Sequence, residues 1–224
     1  MLKLGIESDR DSPLRVLCLG AHGDDIEIGC GGTVLHFAEN HPNVRFTWVV
    51  LSAHGERRRE AAESADHFLE DAGAKSVVLK DFRDGFFPYQ GTEVKEFFEQ
   101  LKGEVTPDLI LTHHRGDLHQ DHRLVCELTW NTFRDHLILE YEIPKYDGDL
   151  GAPNVFVPLA RGTCDKKTSY LLEHYASQRG KDWFSEETFR VTLRLRGIEA
   201  GSGSGYAEGF YGRKLNLRVG NAEQ

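Results

Sequence analysis

Residues 14–35 read LRVLCLGAHGDDIEIGCGGTVL, and this stretch decides the fold class. Its apolar run, Leu14 to Leu19, has the length and composition of a short buried strand. A polar, glycine-bearing segment follows, and apolar residues then return at helical spacing in TVLHFAE. The order is therefore strand, loop and helix.

The same alternation continues along the chain. Apolar runs of strand length occur at 44–51, 76–79 and 108–112, and helical patterns lie between them at 56–72 and 92–101. Such alternation predicts an α/β fold with right-handed βαβ crossovers. We therefore expect a mainly parallel sheet that is covered by helices on both faces.

The C-terminal third is less regular. We predict a helix from Leu118 to about Asp135, strands at 137–143 and 154–158, and helices at 163–175 and 185–196. The GSGSG segment at 201–205 is typical of a flexible connection or a loop over a site. Because the sequence has no internal repeat and no long linker, we expect a single domain over residues 1–224.

Composition excludes several classes of protein. The 27 Lys and Arg against 36 Asp and Glu give a formal net charge of −9, which argues against passive binding to nucleic acid or to anionic membranes. The N-terminus is too polar for a signal peptide, and no apolar run reaches the ~18 residues that span a bilayer. The four cysteines are far apart and indicate neither a disulfide framework nor a thiolate zinc cluster. We therefore expect a cytoplasmic protein in a reducing compartment.

Histidines are concentrated in one segment. Of 11 histidines, four lie within ten positions of THHRGDLHQDH, namely His113, His114, His119 and His122. This segment directly follows the predicted strand DLIL, so it lies at the carboxyl edge of the sheet, where open α/β folds bind ligands. If a helix begins near His119, the i, i+3 spacing places His119 and His122 on one face. The alternative is a polar helix start with solvated histidines.

A second polar cluster, GAHGDDIEIGCGG, follows the first predicted strand at the same edge. It supplies His22, Asp24, Asp25 and Glu27. Neighbouring carboxylates on a bending loop can divide two tasks, one binding a cation while the other faces the cation's water. The alternative is ordinary turn and helix-capping chemistry. A phosphate-binding loop is not supported, because neither G-x-G-x-x-G nor G-x-x-x-x-G-K-[ST] fits.

The two clusters together offer His, Asp and His at one edge. Three nitrogen and oxygen ligands with one position open to water are typical of a catalytic zinc site, whereas a structural zinc site is more often closed by four ligands. The sequence therefore predicts a catalytic metal site that activates a water molecule, with a nearby carboxylate that can take the proton.

The motif AHGDDIEIGCGG with HQDH resembles the PIG-L/LmbE family of zinc-dependent N-deacetylases, whose usual motifs are A-H-P-D-D and H-x-x-H. The likeness extends through GERRREAAESADHF, DFRDG and the late YAEGF, so it covers most of the chain. It implies a Rossmann-like α/β fold. It also implies removal of an N-acetyl group from a small substrate that contains a sugar, such as N-acetylglucosamine.

The resemblance also implies roles for individual residues. His22, Asp25 and His122 are the expected zinc ligands, and Asp24 is the expected general base that acts on the zinc-bound water. His119 is expected to stabilise the oxyanion or to protonate the leaving amine. Gly23 stands where the family usually has proline, which leaves this loop less rigid.

The resemblance implies substrate contacts from one of Arg57, Arg58 and Arg59, and from Asp84 of DFRDG. The sequence does not decide which arginine faces the cleft, and Asp84 is equally well explained as a turn residue before Gly85. Tyr206 and Glu208 of YAEGF are further candidates for the mouth of the pocket.

Several alternatives stay open at this level. The substrate could be a larger amide, such as a thiol-cofactor conjugate, and the protein could be a metal-retaining binding protein without turnover. Iron(II), cobalt or manganese could replace zinc on these ligands. Family members are often oligomeric, so a homo-oligomer is possible.

Overall fold

A computed structural model describes residues 3–6 and 12–217. The strands of the described chain are β1 (Arg15–His22), β2 (Arg45–Ser52), β3 (Ala74–Leu79), β4 (Leu109–His113), β5 (Leu137–Tyr141), β6 (Val155–Pro158) and β7 (Ala207–Gly212). The helices are α1 (Asp25–Asn40), α2 (Gly55–Phe68), α3 (Gly91–Glu104), α4 (Gln120–Thr132), α5 (Arg161–His174) and α6 (Glu186–Glu199). Two short 3₁₀ helices lie at Phe87–Gln90 and Ala176–Gln178.

The strands form a seven-stranded sheet in the order β3-β2-β1-β4-β5-β7-β6. Strands β1 to β5 pair in parallel, and β7 pairs antiparallel with both β5 and β6. The predicted α/β fold with a mainly parallel sheet is therefore confirmed.

The central strand β1 is buried on both faces, as expected for a parallel sheet between two helix layers. Val16 and Cys18 point into the core that is shared with α1, α2 and α5. Leu17 and Leu19 point into the opposite core, which is shared with α3 and α4. No helix in residues 3–6 and 12–217 has the length and apolar composition needed to cross a bilayer.

The structure differs from the sequence expectation mainly near the C-terminus. The sequence AEGFYG has neither an apolar run nor strict alternation, so strand β7 was not predicted. In the structure this segment forms a strand between β5 and β6. Helix α2 ends at Phe68 rather than near residue 72. All four cysteines are free and buried, in agreement with the absence of a disulfide framework.

A buried ion pair from the C-terminal third completes the hydrogen bonding of α1. Lys167 Nζ lies 2.7 Å from Glu208 Oε1 and donates to the Ile28 carbonyl at 2.7 Å. Glu208 in turn accepts from the backbone N–H groups of Gly32 and Thr33 at 2.8 and 2.7 Å. Glu208 is buried and therefore supports α1 from within the core.

The glycines of IGCGG are needed for close packing of α1. A methyl group at Gly29 would lie 2.1 Å from Cδ2 of Tyr141, and one at Gly32 would lie 2.4 Å from Cδ1 of Leu159. Both distances are far inside van der Waals contact. The glycine-rich segment that raised the possibility of a phosphate loop is thus explained by helix packing against β5 and the segment after β6.

We predict that Gly29→Ala lowers the free energy of unfolding by about 1–3 kcal/mol, because Tyr141 has to move to accommodate the methyl group. The matched control is Gly103→Ala in α3, where a methyl group meets no atom within 4 Å. That control should be neutral or stabilising by up to about 1 kcal/mol. Urea unfolding of both variants checks the prediction, and equal effects would contradict it.

Candidate functional site

The site lies where the order of strands in the sheet reverses. From β1 the chain proceeds outward through β2 and β3, and it then returns to place β4 on the other side of β1. The loops after β1 and β4 consequently diverge and open a crevice at the carboxyl edge of the sheet. His22 is the last residue of β1 and His113 is the last residue of β4, so both sequence clusters meet at this crevice.

The structure brings the three expected metal ligands into one triangle. His22 Nδ1 lies 3.2 Å from His122 Nε2 and 3.4 Å from Asp25 Oδ2. His122 Nε2 lies 3.5 Å from the same Asp25 oxygen. All three residues are buried.

The size of this triangle fits a tetrahedral zinc ion. Zinc binds imidazole nitrogen and carboxylate oxygen at about 2.0–2.2 Å, so two ligand atoms of a tetrahedral site lie about 3.3–3.6 Å apart. Further groups whose ligand atoms lie within 4.8 Å of one another overlap this triangle: His22, His119 and His122; Asp25, His113 and His122; and His22, Asp84 and Asp121. The crevice is therefore rich in the nitrogen and oxygen ligands of a divalent cation.

His122 is oriented by Asp117, an acidic residue for which the sequence predicted no role. Asp117 Oδ2 lies 2.9 Å from His122 Nδ1, which turns Nε2 towards Asp25. Lys145 Nζ lies 3.0 Å from the same Asp117 oxygen. Burial raises the pKa of Asp117, but the hydrogen bond and charge of His122 and the charge of Lys145 outweigh it, so the pKa lies below its ordinary value. An ionised carboxylate behind a metal-facing imidazole is a common arrangement in metal sites.

The other nitrogen of His22 faces two carboxylates. Its Nε2 lies 3.0 Å from Asp84 Oδ1 and 3.3 Å from Asp121 Oδ2. Asp121 also accepts from the backbone N–H groups of Gly85 and Phe87, which fixes its position. Burial lowers the pKa of His22, but Asp25, Asp121 and Asp84 raise it, and the net pKa lies well above 6.5. The surroundings of this ring thus favour positive charge.

Of the three consecutive arginines, Arg57 is the one that contacts the site. Its Nη2 donates to Asp24 Oδ1 at 2.6 Å. Arg58 donates instead to backbone carbonyls, including that of Leu79 at 3.0 Å. Arg59 lies on the surface, 3.7 Å from Glu56.

His119 is the N-cap of α4 and lies beside the candidate ligands. Its ring centroid is 5.0 Å from that of His22 and 4.6 Å from that of His122. Its Nδ1 accepts from the backbone N–H of Asp121 at 3.3 Å. Because that backbone group only donates, the proton of a neutral His119 ring is on Nε2. Burial and the charges of His122 and His22 lower the pKa of His119.

His113 belongs to the site, although the sequence predicted no ligand or catalytic role for it. The side chain is fully buried, and its ring stacks on His122 at 3.9 Å between centroids. Its Nε2 accepts from the Ala21 backbone N–H at 3.0 Å and lies 3.2 Å from Asp25 Oδ2. Its position at the carboxyl end of an apolar strand was the signal that could have identified it.

The loop that carries Gly23 is held by Tyr175, in place of the proline that is usual there. The Tyr175 hydroxyl donates to the Gly23 carbonyl and also contacts Glu27 Oε1. Ser64 Oγ donates to that same carboxyl oxygen at 2.6 Å. The phenol has one proton, which it donates to the Gly23 carbonyl. The contact between the phenol oxygen and Glu27 therefore needs a proton on the Glu27 carboxyl group. Burial raises the pKa of Glu27 to about 8, which agrees with a protonated carboxyl group at neutral pH.

Comparison with known proteins identifies relatives of this chain. A family model described as "PIG-L: GlcNAc-PI de-N-acetylase" matches residues 17–133. The Escherichia coli (strain K12) protein named uncharacterized deacetylase YaiS is 27% identical over 139 residues, which cover 58% of this chain and 74% of that protein.

Two solved structures share the fold at low sequence identity. GalB, the 4-carboxy-2-hydroxymuconate hydratase from Pseudomonas putida KT2440, is 20% identical with a TM-score of 0.74, over 93% of this chain and 100% of that one. The N,N'-diacetylchitobiose deacetylase from Pyrococcus horikoshii is 19% identical with a TM-score of 0.62, over 88% of this chain and 83% of that one.

We predict that Asp117→Asn weakens zinc binding by about 10- to 100-fold, because an amide orients His122 without the negative charge. Asp108→Asn is the matched control, since Asp108 pairs with Arg15 on the surface. Competition with a chromogenic chelator gives both affinities. An unchanged affinity in Asp117→Asn would show that this carboxylate does not support the ligand.

We predict that Glu27→Gln changes how stability depends on pH. With a pKa of about 8 in the folded protein against an ordinary 4.5, Glu27 holds a proton that the unfolded chain has released. The free energy of unfolding of the wild type should therefore fall, relative to Glu27→Gln, as pH rises from about 5 to about 8, and then level off. Urea unfolding across this range measures the difference, and parallel curves would contradict the protonated state.

Proposed function

This chain belongs to the PIG-L family, and from that premise we propose that it removes the N-acetyl group from a small N-acetylglucosamine-type sugar. The family match and the arrangement of His22, Asp25 and His122 support the proposal. The observation that carries it is the triangle of ligand atoms, with edges of 3.2, 3.4 and 3.5 Å. The reaction consumes one water and yields acetate and the free amine.

We assign His22, Asp25 and His122 as the ligands of one zinc ion, with iron(II), cobalt or manganese as possible replacements. When bound, zinc polarises the acyl oxygen and lowers the pKa of a coordinated water towards ~7. Asp117 and Asp121 hold the two imidazoles in place from outside the ligand set. The absence of cysteine from this set fits a catalytic rather than a closed structural site.

Asp24 is the proposed general base. It lies in the loop between two of the ligands, and Arg57 fixes one of its oxygens at 2.6 Å. In the reaction Asp24 accepts a proton from the attacking water, and the departing amine gains a proton. Arg57 thus acts by positioning Asp24, whereas Arg58 and Arg59 have no role in this proposal.

His119 is the proposed donor to the acyl oxygen. Its Nδ1 is occupied by the Asp121 backbone N–H, so Nε2–H is the group available for a substrate. A fixed donor at the position where negative charge develops lowers the barrier. Protonation of the leaving amine by His119 is the other role that the position allows. Asp84, whose side chain is 55% exposed, borders the site and is the proposed contact for a sugar hydroxyl.

The fold alone does not select this reaction, because a hydratase and a deacetylase both share it with this chain. The family match favours deacetylation, and the name of the Escherichia coli relative agrees with it. Both proposed catalytic residues, Asp24 and His119, are present, which disfavours a binding protein that has lost turnover. A larger amide substrate would use the same metal ligands.

The test is acetate release from a panel of N-acetylglucosamine derivatives: the free sugar, nucleotide-linked, inositol-linked and malate-linked forms, and short oligomers. We predict that the zinc-loaded wild type releases acetate from at least one of them. Asp24→Asn should retain zinc and lower kcat by about 10²-fold or more, because the general base is lost. Arg59→Ala is the control for an exposed change close to the site.

Near-normal turnover in Asp24→Asn would reject Asp24 as the base. If no member of the panel releases acetate while zinc is bound, the N-acetylglucosamine assignment is wrong. The same panel extended to amides of thiol cofactors then tests the larger substrate.

A further inference from the structure

A second group of potential metal ligands lies on the surface, away from the crevice. It consists of His67 on α2 and of Glu173 and His174 at the end of α5. One ligand atom from each residue lies within 4.8 Å of the others. None of these residues has a place in the proposed reaction.

The two histidines already form a hydrogen bond with each other. His67 Nδ1 lies 2.8 Å from His174 Nε2, and their rings meet edge to face with centroids 4.6 Å apart. Two imidazole nitrogens at this distance require a hydrogen between them, because two lone pairs would repel. A metal ion that replaces this hydrogen needs the nitrogens to separate to about 3.3 Å, a shift of about 0.5 Å. His67 is exposed and His174 is half-buried, so the side chains have room for that shift.

The electrostatic surroundings favour a cation. Glu63 lies one helical turn before His67 on α2, and both Glu63 and Glu173 act electrostatically on His174. Burial and the charge of His67 lower the pKa of His174, so its ring is neutral at pH 7, which is the form that binds metals. The ring of Tyr170 packs on both histidines, at 5.3 and 6.1 Å between centroids, and limits their rotation.

We propose that His67, Glu173 and His174 bind a second divalent transition-metal ion, which links α2 to α5. Two imidazoles and one carboxylate suit zinc, cobalt or nickel rather than calcium or magnesium. On binding, the ring that donates the hydrogen bond changes tautomer, so that its hydrogen moves through solvent to its other nitrogen, and water completes the coordination. This site is independent of the proposed function.

The position of this site gives it a structural consequence. His174 directly precedes Tyr175, whose hydroxyl donates to the carbonyl of Gly23 in the loop between the candidate ligands. On α2, His67 lies one turn from Ser64, which donates to Glu27 in the same network. An ion between His67 and His174 therefore fixes the two elements that support this loop.

The test is the number of zinc ions bound per chain in equilibrium dialysis at neutral pH. We expect two zinc ions for the wild type, one for His174→Ala and one for His122→Ala. The double variant, which carries both His122→Ala and His174→Ala, should bind none. His67→Ala should also bind one. His36→Ala, which removes a histidine of α1 outside both groups, is the control and should bind two.

A His174→Ala variant that binds as many zinc ions as the wild type would overturn the proposal, whereas a wild type whose single zinc is lost in His174→Ala would contradict only the zinc site of the crevice. A thermal melt of the His122→Ala variant gives a second readout, in which zinc should raise the Tm. The same addition should leave the Tm of the double variant unchanged. Because neither measurement uses acetate release, a failure here is distinct from a failure of the proposed activity.

Discussion

One hydrogen bond organises the candidate active site. The backbone N–H of His22, at the end of β1, donates to Asp25 Oδ2 at 2.6 Å. This bond turns the chain back on itself between the last residue of a buried strand and the first residue of a helix. As a result, an imidazole and a carboxylate that are three positions apart point to the same place. The helix that follows contributes its N-terminal dipole on the side where the carboxylates lie.

The second half of the site is formed by the end of β4 and the start of α4. His113 stacks on His122, and α4 begins so that His119 caps it while His122 faces the crevice. Carboxylates then fill the outer positions: Asp117 behind His122 and Asp121 behind His22. A buried cluster of histidines is unstable if all of them are charged, and these carboxylates compensate for that cost.

The local motifs could be predicted from the sequence, because spacing within one loop or one helical turn fixes their geometry. That applies to His22 with Asp25, and to His119 with His122. The ligand set of His22, Asp25 and His122 was implied by the family resemblance. It also applies to the alternation that predicted strands β1 to β5. Strand β7 escaped prediction because its residues become a strand only through pairing with two neighbours.

Long-range contacts could not be predicted. Nothing in the sequence selects Arg57 over Arg59, since both follow β2 and only the rotation of α2 decides which one meets Asp24. Lys145 reaches Asp117 from 28 positions away. Tyr175 reaches Gly23 from 152 positions away, across the fold. Such partners are set by tertiary packing, for which a single sequence carries no periodic signal.

The ion pair between Lys167 and Glu208 bears on how this architecture can be divided or recombined. The family match ends at residue 133. The backbone carbonyl of Ile28 and the backbone N–H groups of Gly32 and Thr33, all in α1, nevertheless form hydrogen bonds with the side chains of Lys167 and Glu208. A segment that stopped at residue 133 would leave these polar groups without partners in an apolar core. The last third is therefore not an exchangeable module attached to a finished catalytic core. Any recombination that replaced it would have to supply a new buried cation and carboxylate at the same two points on α1.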